Sequence, residues 1–487
     1  MYCGFVTNLK NVRPHPNADR MKLADCFGNT VCVGLSAQEN DVVIYFPTDG
    51  QLSVEYCAQN DLVRRKDENG NPAGGYLDPD KRNVKAIKLR GEKSDGITMP
   101  LESLAYTGVD LATLTVGTQV TVINGHDICT KYIPKSNSKS SHSGGTGNKT
   151  RKHKDPVAPL FAEHADTEQL AYNLSAFKCG DEVEITLKMH GTSQRTGYLP
   201  TLQGYKRTFW DKITRKAGVP VYDWGGVSGT RRVVLEDYNG GFYGSNEFRE
   251  QHSKMFDGKL MKGETVYYEV VGFTTTGQPI MSTASNKKLN DKEFIKQYGE
   301  ETVFSYGCHP DGGYEIMADG QELDTNTAWV NVPQSDVYVY RMTMTNEDGF
   351  VVEYTPDFMR YRCEQMGVKT VPVLWKGTIP DHPVSEEDPT ITAGEWIKNV
   401  AERLEDPTIT AGEWIKNVAE RFYAGPDPVG KTHVREGVVV RILNRPKFAA
   451  YKHKNFAFKV LEGIIKETAD APDMEEAQDV SSDEVNE

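Results

Sequence analysis

Length, composition and charge first limit the kinds of protein that this sequence can encode. The chain has 487 residues, of which 38% are hydrophobic, and a formal net charge of −13; this size predicts two to four domains with buried cores. The sequence contains neither a run of about 18 apolar residues nor a basic N-terminal segment followed by an apolar one. We therefore expect an intracellular, cytoplasmic protein without a membrane span.

The eight cysteines are scattered along the chain without a C-x-x-C pair. Zinc sites and disulfide-rich domains need closely spaced cysteines. We expect reduced thiols and neither of these frameworks.

The negative charge is concentrated at the C-terminal end. Residues 467–487 contain nine acidic residues and no Lys or Arg, and without these nine charges the net charge of −13 becomes −4. This composition is typical of a disordered acidic tail. The remaining chain is close to neutral, so net charge does not exclude a nucleic-acid partner.

The N-terminal part has short strand-like runs separated by turn residues, such as "DVVIYFP" and "TQVTVIN". This spacing predicts a small all-β barrel or sandwich over residues 1–134. Its segments "VRPHPNADRMKLA" and "IKLRGEKSDGITMP" resemble the OB-fold domains of some tRNA-binding proteins and of one group of RNA ligases. The resemblance implies a nucleic-acid-binding domain.

A basic segment follows this domain. Residues 135–154, "KSNSKSSHSGGTGNKTRKHK", contain no acidic residue and almost no apolar one, which is typical of a flexible linker. We place the linker at 135–156 and a second, α+β domain at 157–466.

The second domain contains a duplicated segment. "EDPTITAGEWIKNVAER" occurs at 387–403 and again at 405–421. Thr392 and Glu395 match a capping box, and an apolar stripe follows them, so each copy predicts a short amphipathic helix. We interpret the region of about 380–425 as a helical insertion without a catalytic role, although an assembly artefact in the sequence is an alternative.

The segment "VEITLKMHGT" alternates apolar and polar residues and predicts a half-buried strand that ends at Lys188. Val183, Ile185 and Leu187 share its apolar face. A lysine at such a position is most often a solvated strand end.

Four later segments also carry candidate site residues. Each has a structural alternative: an ion pair for the acids, core packing for the tyrosines and a solvated edge for the lysines. The segments are "TVYYEVVGF" with Glu269, "VYVYRMT" with Tyr338 and Tyr340, "REGVVVRI" with Glu436, and "AAYKHKNFAFKV" with Lys452 and Lys454.

In this order, the segments resemble the covalent nucleotidyltransferase superfamily, and most closely the RNA ligase 2-like, nick-sealing RNA ligases with an N-terminal OB-fold domain. Lys188, Met189, His190 and Gly191 match the superfamily motif K-x-D/H/N-G, and Thr192 follows as in RNA ligases. The resemblance implies an N-terminal OB-like barrel and an ATP-grasp-like adenylyltransferase domain built on antiparallel sheets.

The resemblance also implies a role for each matched residue. Lys188 would be the adenylated nucleophile, with Lys452 and Lys454 as further catalytic residues. Glu436 and Glu269 would hold the metal. The residues implied in nucleotide binding are His190, Gly191, Thr192, Glu269, Tyr340 as the ring stacked on adenine, and Arg231, with Arg195 and Arg232 as alternatives for the arginine.

The implied activity is ATP-dependent sealing of 3′-hydroxyl and 5′-phosphate ends through lysyl-AMP, with ATP and Mg²⁺ or Mn²⁺ as cofactors. The partner would be a nicked RNA or RNA/DNA duplex, and we expect a monomer that binds no membrane. One departure concerns Leu187, because these ligases commonly carry Glu before the lysine; Glu184 or another acid would have to substitute.

Other members of the superfamily remain alternatives, namely a DNA ligase or an mRNA-capping guanylyltransferase. His190, in place of their usual Asp, and the N-terminal position of the OB-like domain argue against both. A non-catalytic nucleic-acid-binding relative is a third alternative.

Overall fold

The computed structural model describes residues 2–66, 72–133, 155–165, 167–209, 218–235, 238, 246–312, 314–317, 329–381 and 409–467. The chain divides into two compact units. The first is Met1–Lys135 with Phe456–Thr468, and the second is Ser136–Asn455 with Ala469–Glu487. The predicted boundary of the second domain, residue 466, therefore differs from the structure, which assigns the last helix to the first unit.

Several sequence predictions lie outside the described residues. They are the basic linker up to residue 154, the first copy of the repeat and the acidic tail from residue 468. All eight cysteines are described and are free thiols, as predicted. Within the described part of the chain, no helix has the length and apolarity needed to cross a bilayer.

Six α-helices are described. The fourth helix shows ordinary caps at both ends: Thr355 accepts the N–H of Phe358 at its start, and Gly367, with φ of 70°, ends it. The helices are α1 Val54–Gln59, α2 Glu247–Lys254, α3 Lys292–Tyr298, α4 Pro356–Met366, α5 Ala411–Glu420 and α6 Phe456–Glu467.

The first unit is mostly β-structure, as its spacing of strand and turn residues predicts. A four-stranded antiparallel sheet has the order β11-β5-β1-β12 and a three-stranded sheet the order β2-β3-β4; no sheet among this unit's described residues closes into a barrel. The strands are β1 Gly4–Asn8, β2 Lys10–Pro14, β3 Lys22–Cys26, β4 Asn29–Val33, β5 Val42–Phe46, β6 Gly50–Leu52, β7 Arg65–Lys66, β8 Pro72–Gly74, β9 Ala86–Leu89, β10 Glu92–Asp95, β11 Ile97–Pro100, β12 Gln119–Val120, β13 Val122–Ile123, β14 His126–Asp127 and β15 Cys129–Lys131.

Helix α6 belongs to the first unit through a polar and an aromatic contact. Lys459 Nζ lies 2.5 Å from Asp95 Oδ2, and both side chains are largely buried. Lys93 lies over the ring of Phe456, 5.3 Å from its centroid. The sequence after Asn455 thus completes a domain that the first 135 residues begin.

The second unit contains two large sheets. One has the order β16-β30-β29-β17-β28, and the other has the order β19-β18-β20-β25-β26 with β27 beside β25. Its strands are β16 Glu168–Gln169, β17 Glu182–Lys188, β18 Thr192–Lys206, β19 Val219–Gly229, β20 Glu264–Gly272, β21 Ala284–Ser285, β22 Glu301–Thr302, β23 Tyr314–Met317, β24 Trp329–Val332, β25 Ser335–Thr345, β26 Val351–Glu353, β27 Lys369–Thr370, β28 Val373–Thr378, β29 Gly437–Ile442 and β30 Ala450–Lys454.

Strand β17 confirms the predicted period of two. Val183, Ile185 and Leu187 are at most 1% exposed, and they lie on the face away from Lys188. Most pairs in both sheets are antiparallel, which confirms an α+β fold with antiparallel sheets.

Helix α5 is the second copy of the repeat and confirms the predicted amphipathic helix. The predicted capping box is present, formed by Thr410 and Glu413. Trp414 and Ile415 are buried in the same hydrophobic cluster as Val183 and Ile185 of β17. This copy is part of the core beneath the candidate site and not a peripheral insertion.

Candidate functional site

The end of β17 brings three charged residues together. Lys188 is paired in register with Gly437 of β29, and Gly437 is paired with Lys454 of β30. Because Glu436 directly precedes Gly437, its carboxylate lies between the two lysines: Oε1 is 2.8 Å from Lys188 Nζ and 3.5 Å from Lys454 Nζ. Three distant motifs of the sequence thus form one ionic cluster.

Glu436 is the buried centre of this cluster, with 2% of its side chain exposed. Burial by itself raises the pKa of Glu436, but the charges of Lys188 and Lys454 outweigh burial and lower that pKa to about 2. His190 Nδ1 lies 3.5 Å from the second carboxylate oxygen. Glu436 is therefore an anion at neutral pH.

This depressed pKa predicts a pH-dependent effect of Lys454→Ala. The ordinary pKa of glutamate is near 4.5 and the folded value is about 2, so the stability that the ionised group contributes is complete above pH 4.5 and is lost as the pH falls toward 2. Urea unfolding should show Lys454→Ala destabilised at pH 7, with its difference from the wild type shrinking between pH 4.5 and 2.

Lys452→Ala provides the matched control for this measurement. It removes a neighbouring lysine of the same strand, but the charges that lower the pKa of Glu436 come from Lys188, Lys454 and His190. If Lys454→Ala were destabilised equally at every pH, or if Lys452→Ala showed the same convergence, the assigned electrostatic cause would be wrong.

A cavity of about 130 Å³ adjoins the cluster, and Lys188 lies in its wall. Four other residues singled out from the sequence also line it: Arg231, Glu269, Tyr340 and Lys452. The structure thus gathers residues from β17, β20, β25 and β30 around one cavity.

A β-bulge explains how Tyr340 reaches this cavity. Tyr267 pairs with Arg341 and Tyr268 with Val339, so Tyr340 is the extra residue between two pairs. Bulges re-aim a side chain relative to the regular alternation of a strand. The hydroxyl of Tyr340 lies 2.9 Å from Ser193 Oγ, and both residues line the cavity.

The three candidate arginines have different surroundings. Arg195 is 1% exposed and donates to the backbone carbonyls of Phe161, Thr230 and Arg232, which is a structural role. Arg232 is exposed. Arg231 alone among the three lines the cavity.

The residues after Lys188 do not all face the cavity. A Cβ atom on Gly191 would lie 2.4 Å from the carbonyl oxygen of Val270, so no side chain fits there. Thr192 is buried, and its hydroxyl accepts a hydrogen bond from Arg249 at 2.6 Å. The ring of His190 lies against Phe304, with 4.6 Å between ring centroids.

Tyr306 is a further contact of this turn that the sequence did not indicate. Its hydroxyl accepts the backbone N–H of His190 at 2.6 Å, and burial raises its pKa well above the ordinary value. The ring of Tyr306 packs on that of His433, 4.6 Å away. Tyr306 therefore fixes the backbone two residues beyond Lys188 as a neutral hydrogen-bond acceptor.

The inner end of the cavity carries a buried ion pair. Glu184 lies on the same strand face as Lys188, and both its oxygens accept from Arg360, at 3.1 and 2.8 Å. Both residues line the cavity. Glu184 is thus a buried carboxylate of β17 in the cavity wall, and Arg360 binds both its oxygens.

His164 also lines the cavity and has no sequence signal of its own. Its ring lies 5.1 Å from that of Tyr340 and 6.1 Å from that of Phe448. Burial, and then the charge of Arg341, lower its pKa well below the ordinary value. His164 is therefore a neutral aromatic neighbour of Tyr340.

The site could hold a divalent cation only with help from other ligands. Among the described residues, no group of three or more His, Cys, Asp or Glu has metal-binding geometry. However, the buried Oε2 atom of Glu436 has only the long contact of 3.5 Å to His190 Nδ1 among the described residues, and Glu269 lines the same cavity. One or two carboxylates with waters and phosphate oxygens are the usual ligand set of Mg²⁺, so these residues fit such an ion.

Neither a family model nor a curated protein matches this chain. Among solved structures, it is similar to the RNA ligase of Naegleria gruberi. An apo mutant of that ligase matches at 15% identity over 94% of this chain and 97% of that chain, with a TM-score of 0.50, and the ligase with PPi matches at 15% over 93% and 97%, also with 0.50. A mutant with ATP and Mn matches at 15% over 94% and 98%, with 0.49. This likeness concerns the architecture, and the chain has the fold of the N. gruberi RNA ligase.

Proposed function

We propose that this protein is an ATP-dependent RNA ligase that seals 3′-hydroxyl and 5′-phosphate ends, at nicks in a duplex, through a lysyl-AMP intermediate. The observation that carries the proposal is the position of Lys188: it lies 2.8 Å from Glu436, in the wall of a cavity that Lys452, Arg231 and Tyr340 also line. The fold that this chain shares with the N. gruberi RNA ligase supports the proposal.

In the first step the Lys188 amine attacks the α-phosphorus of ATP. A bond forms between Nζ and phosphorus, the bond to the β-phosphate oxygen breaks, and pyrophosphate leaves. Lys452 in the cavity wall, and Lys454 beside Glu436, lie where their positive charges can stabilise the negative charge that develops on the transferring group. AMP then passes to the 5′-phosphate, and the 3′-hydroxyl displaces it.

The ion pair with Glu436 has a consequence for this chemistry. A carboxylate at 2.8 Å favours the ammonium form of a lysine, whereas the attack requires the neutral amine. Glu436 thus opposes burial and nearby cations, both of which favour the neutral amine. Breaking this ion pair is part of activation.

A divalent cation, Mg²⁺ or Mn²⁺, supplies charge neutralisation of the phosphates when bound. Glu436 and Glu269 are the residues that would hold it. Because Glu436 also holds the ammonium of Lys188, the same carboxylate would bind the ion and influence the protonation state of the nucleophile.

The cavity also fits the nucleoside. Tyr340, held beside Ser193, offers a ring for stacking on adenine, and Arg231 offers a donor for the ribose or the phosphates. We further propose that the first unit is an OB-like domain that binds the nicked RNA or RNA/DNA duplex, and that the protein acts as a monomer in the cytoplasm.

Intact mass and a gel assay test this function together. Incubation with ATP and Mg²⁺ should increase the mass by one AMP group, removable by pyrophosphate, and nicked duplexes with an RNA 3′-hydroxyl end should be sealed. Transfer of GMP instead of AMP would indicate a capping-type enzyme, and free sealing of all-DNA nicks would indicate a DNA ligase. A protein that binds RNA but forms no adduct would be the non-catalytic relative.

A further inference from the structure

Strand β18 extends far beyond the sheet that carries the site. Its pairing with β20 ends at Gly197, whereas its pairing with β19 continues to Lys206. Residues 198–206 of β18 and 219–226 of β19, here called the outer ribbon, therefore form a two-stranded extension. Part of this ribbon is covered by the segment 156–161, since Leu202 N–H donates to Val157 O and Leu199 is buried with Ala158 and Phe161.

One face of the outer ribbon carries aromatic rings. Tyr198 and Trp224 are diagonal neighbours with 6.1 Å between ring centroids, and Lys262 lies over Trp224 at 5.3 Å. Tyr222 lies on the same face two residues from Trp224, and Tyr205 lies opposite Pro220. All four rings are partly exposed.

The far end of the outer ribbon is apolar and exposed. Val219 is 65% and Val221 42% exposed, and Phe209, three residues beyond the last paired residue of β18, is 73% exposed. A cluster of exposed large apolar side chains on a soluble protein marks a contact surface.

The same end of the ribbon carries two positive charges. Lys206, the last paired residue of β18, and the adjacent Arg207 are both exposed. Cations interleaved with aromatic rings are the usual equipment of a surface that binds a nucleic-acid strand, since the cations contact phosphates and the rings stack on bases. The exposed rings favour a nucleic acid over an acidic protein surface, because bases stack on aromatic rings and carboxylates do not.

We propose that the outer ribbon is a surface that binds the RNA strand beside the nick. This inference rests on the proposed function, because it assumes that the ligase acts on RNA. Tyr198 is five residues from Ser193, which lines the cavity, so the ribbon begins about 17 Å along the strand from the site and its last paired residue lies about 43 Å away. It would contact backbone and bases several nucleotides from the joined ends and would leave the nucleotide chemistry unchanged.

Equilibrium binding of a nicked RNA duplex to the full-length protein, measured at several salt concentrations, tests the proposal. The duplex should have about 20 base pairs on each side of the nick, long enough to span this distance. In the double variant Lys206→Ala with Arg207→Ala, the slope of log K against log salt should fall by about 2, because two phosphate contacts are lost. Phe209→Ala should weaken binding about five-fold or more if its ring stacks on a base.

The matched control is Lys254→Ala with Lys287→Ala. It removes two exposed lysines of the same unit, which pair with Glu250 and Glu300 far from the ribbon in sequence, and it changes the net charge equally. The proposal requires that the control keep the wild-type slope. Equal loss in both double variants, or unchanged binding in the ribbon variants, would overturn it.

Two further readouts separate this proposal from its alternatives. Adduct formation from ATP should be the same in the ribbon variants as in the wild type. If the wild type itself formed no adduct, the proposed function would be wrong, whereas the RNA-binding measurement would still decide the role of the outer ribbon. Binding of the ribbon to vesicles of anionic lipid, or self-association lost in Phe209→Ala, without any effect on RNA affinity, would assign the surface to a membrane or to a second copy of this chain.

Discussion

We expect Lys188→Ala to abolish the AMP adduct and all ATP-dependent joining, the largest effect of any single substitution. Only this side chain is proposed to form a covalent bond to phosphorus, and alanine offers no nucleophile. The residual rate should be below detection in a mass assay of the protein incubated with ATP and Mg²⁺.

The same variant should still seal a strand that already carries AMP on its 5′-phosphate. That last step uses the bound AMP, the acids of the site and the 3′-hydroxyl, but no amine. Glu436 keeps Lys454 at 3.5 Å when Lys188 is removed, so its carboxylate retains a cationic partner and the strand end should stay folded. Partial activity on the pre-adenylated strand would therefore separate loss of the nucleophile from loss of the fold.

Lys452→Ala is the comparison variant for this prediction. Its charge is assigned to the transferring phosphate, so its loss should slow adduct formation by roughly 2–4 kcal/mol of barrier, as for removal of one oxyanion-type donor. The position of the AMP should not change. Peptide mapping that found AMP on Lys452, Lys454 or any residue other than Lys188 would overturn the mechanism.

Local periodicity and short motifs predicted the site well where the signal lies within one segment. The alternation of Val183, Ile185 and Leu187 placed Lys188 correctly at the end of a half-buried strand, on the face away from the apolar side chains. The need for glycine at position 191, in contrast, comes from a distant segment, since the carbonyl oxygen of Val270 on β20 approaches it closely.

Contacts between distant segments could not be predicted in this way. Arg360 lies 176 residues from Glu184, and nothing in either segment specifies the other. Similarly, the spacing of two residues predicts that Tyr338 and Tyr340 share one strand face. The bulge that turns Tyr340 toward the cavity arises from the register of β25 with β20. The order and register of the strands decide both the Glu184–Arg360 contact and the position of Tyr340, and they are properties of the whole domain.

Helix α6 shows a different limit. Its position directly after the K-x-K motif suggested that it belongs to the second domain, but its side chains contact Asp95 and Lys93 of the first unit. An amphipathic pattern indicates that one face is buried without indicating which partner buries it.

The duplicated helix gives the second large prediction: Trp414→Ala should destabilise the protein by about 3–5 kcal/mol, the usual cost of truncating a buried tryptophan. Trp414 is 3% exposed in the cluster that contains Val183 and Ile185 of β17. Its ring packs edge-to-face on Trp375, with 6.0 Å between centroids. Urea unfolding of the variant against the wild type measures this cost.

Disturbing α5 should also affect the candidate site, because this helix contacts β30, the last strand. Glu420 at the end of α5 lies 3.5 Å from His453 Nε2, and His453 stands between Lys452 and Lys454 on β30. Although burial raises the pKa of Glu420, its bonds to His453 and Lys416 lower that pKa to about 2. Glu420→Gln should therefore slow adduct formation with a smaller loss of stability than Trp414→Ala.

The repeat supplies a control with the same local sequence. Trp396 and Glu402 occupy the equivalent positions of the first copy, and the described core is formed by residues of the second copy. Trp396→Ala and Glu402→Gln should therefore leave stability and adduct formation close to wild type. Deletion of residues 387–404 should be tolerated for the same reason, since it keeps the second copy with its own flanking residues.

One outcome would show that the two copies exchange. Because 17 residues are identical, the surface of β17 and β29 that binds α5 has no sequence feature by which to choose between them. In that case Trp414→Ala and Trp396→Ala would each reduce the free energy of unfolding only slightly, and the double variant would lose most of its stability. Either copy would then be able to fill the core, and assignment of α5 to the second copy alone would be wrong. If Trp414→Ala instead cost the full amount of about 3–5 kcal/mol with Trp396 intact, the first copy would not replace the second. We would then assign the choice to the segment after α5, which begins with Tyr423 stacked on His453 and leads to Glu436.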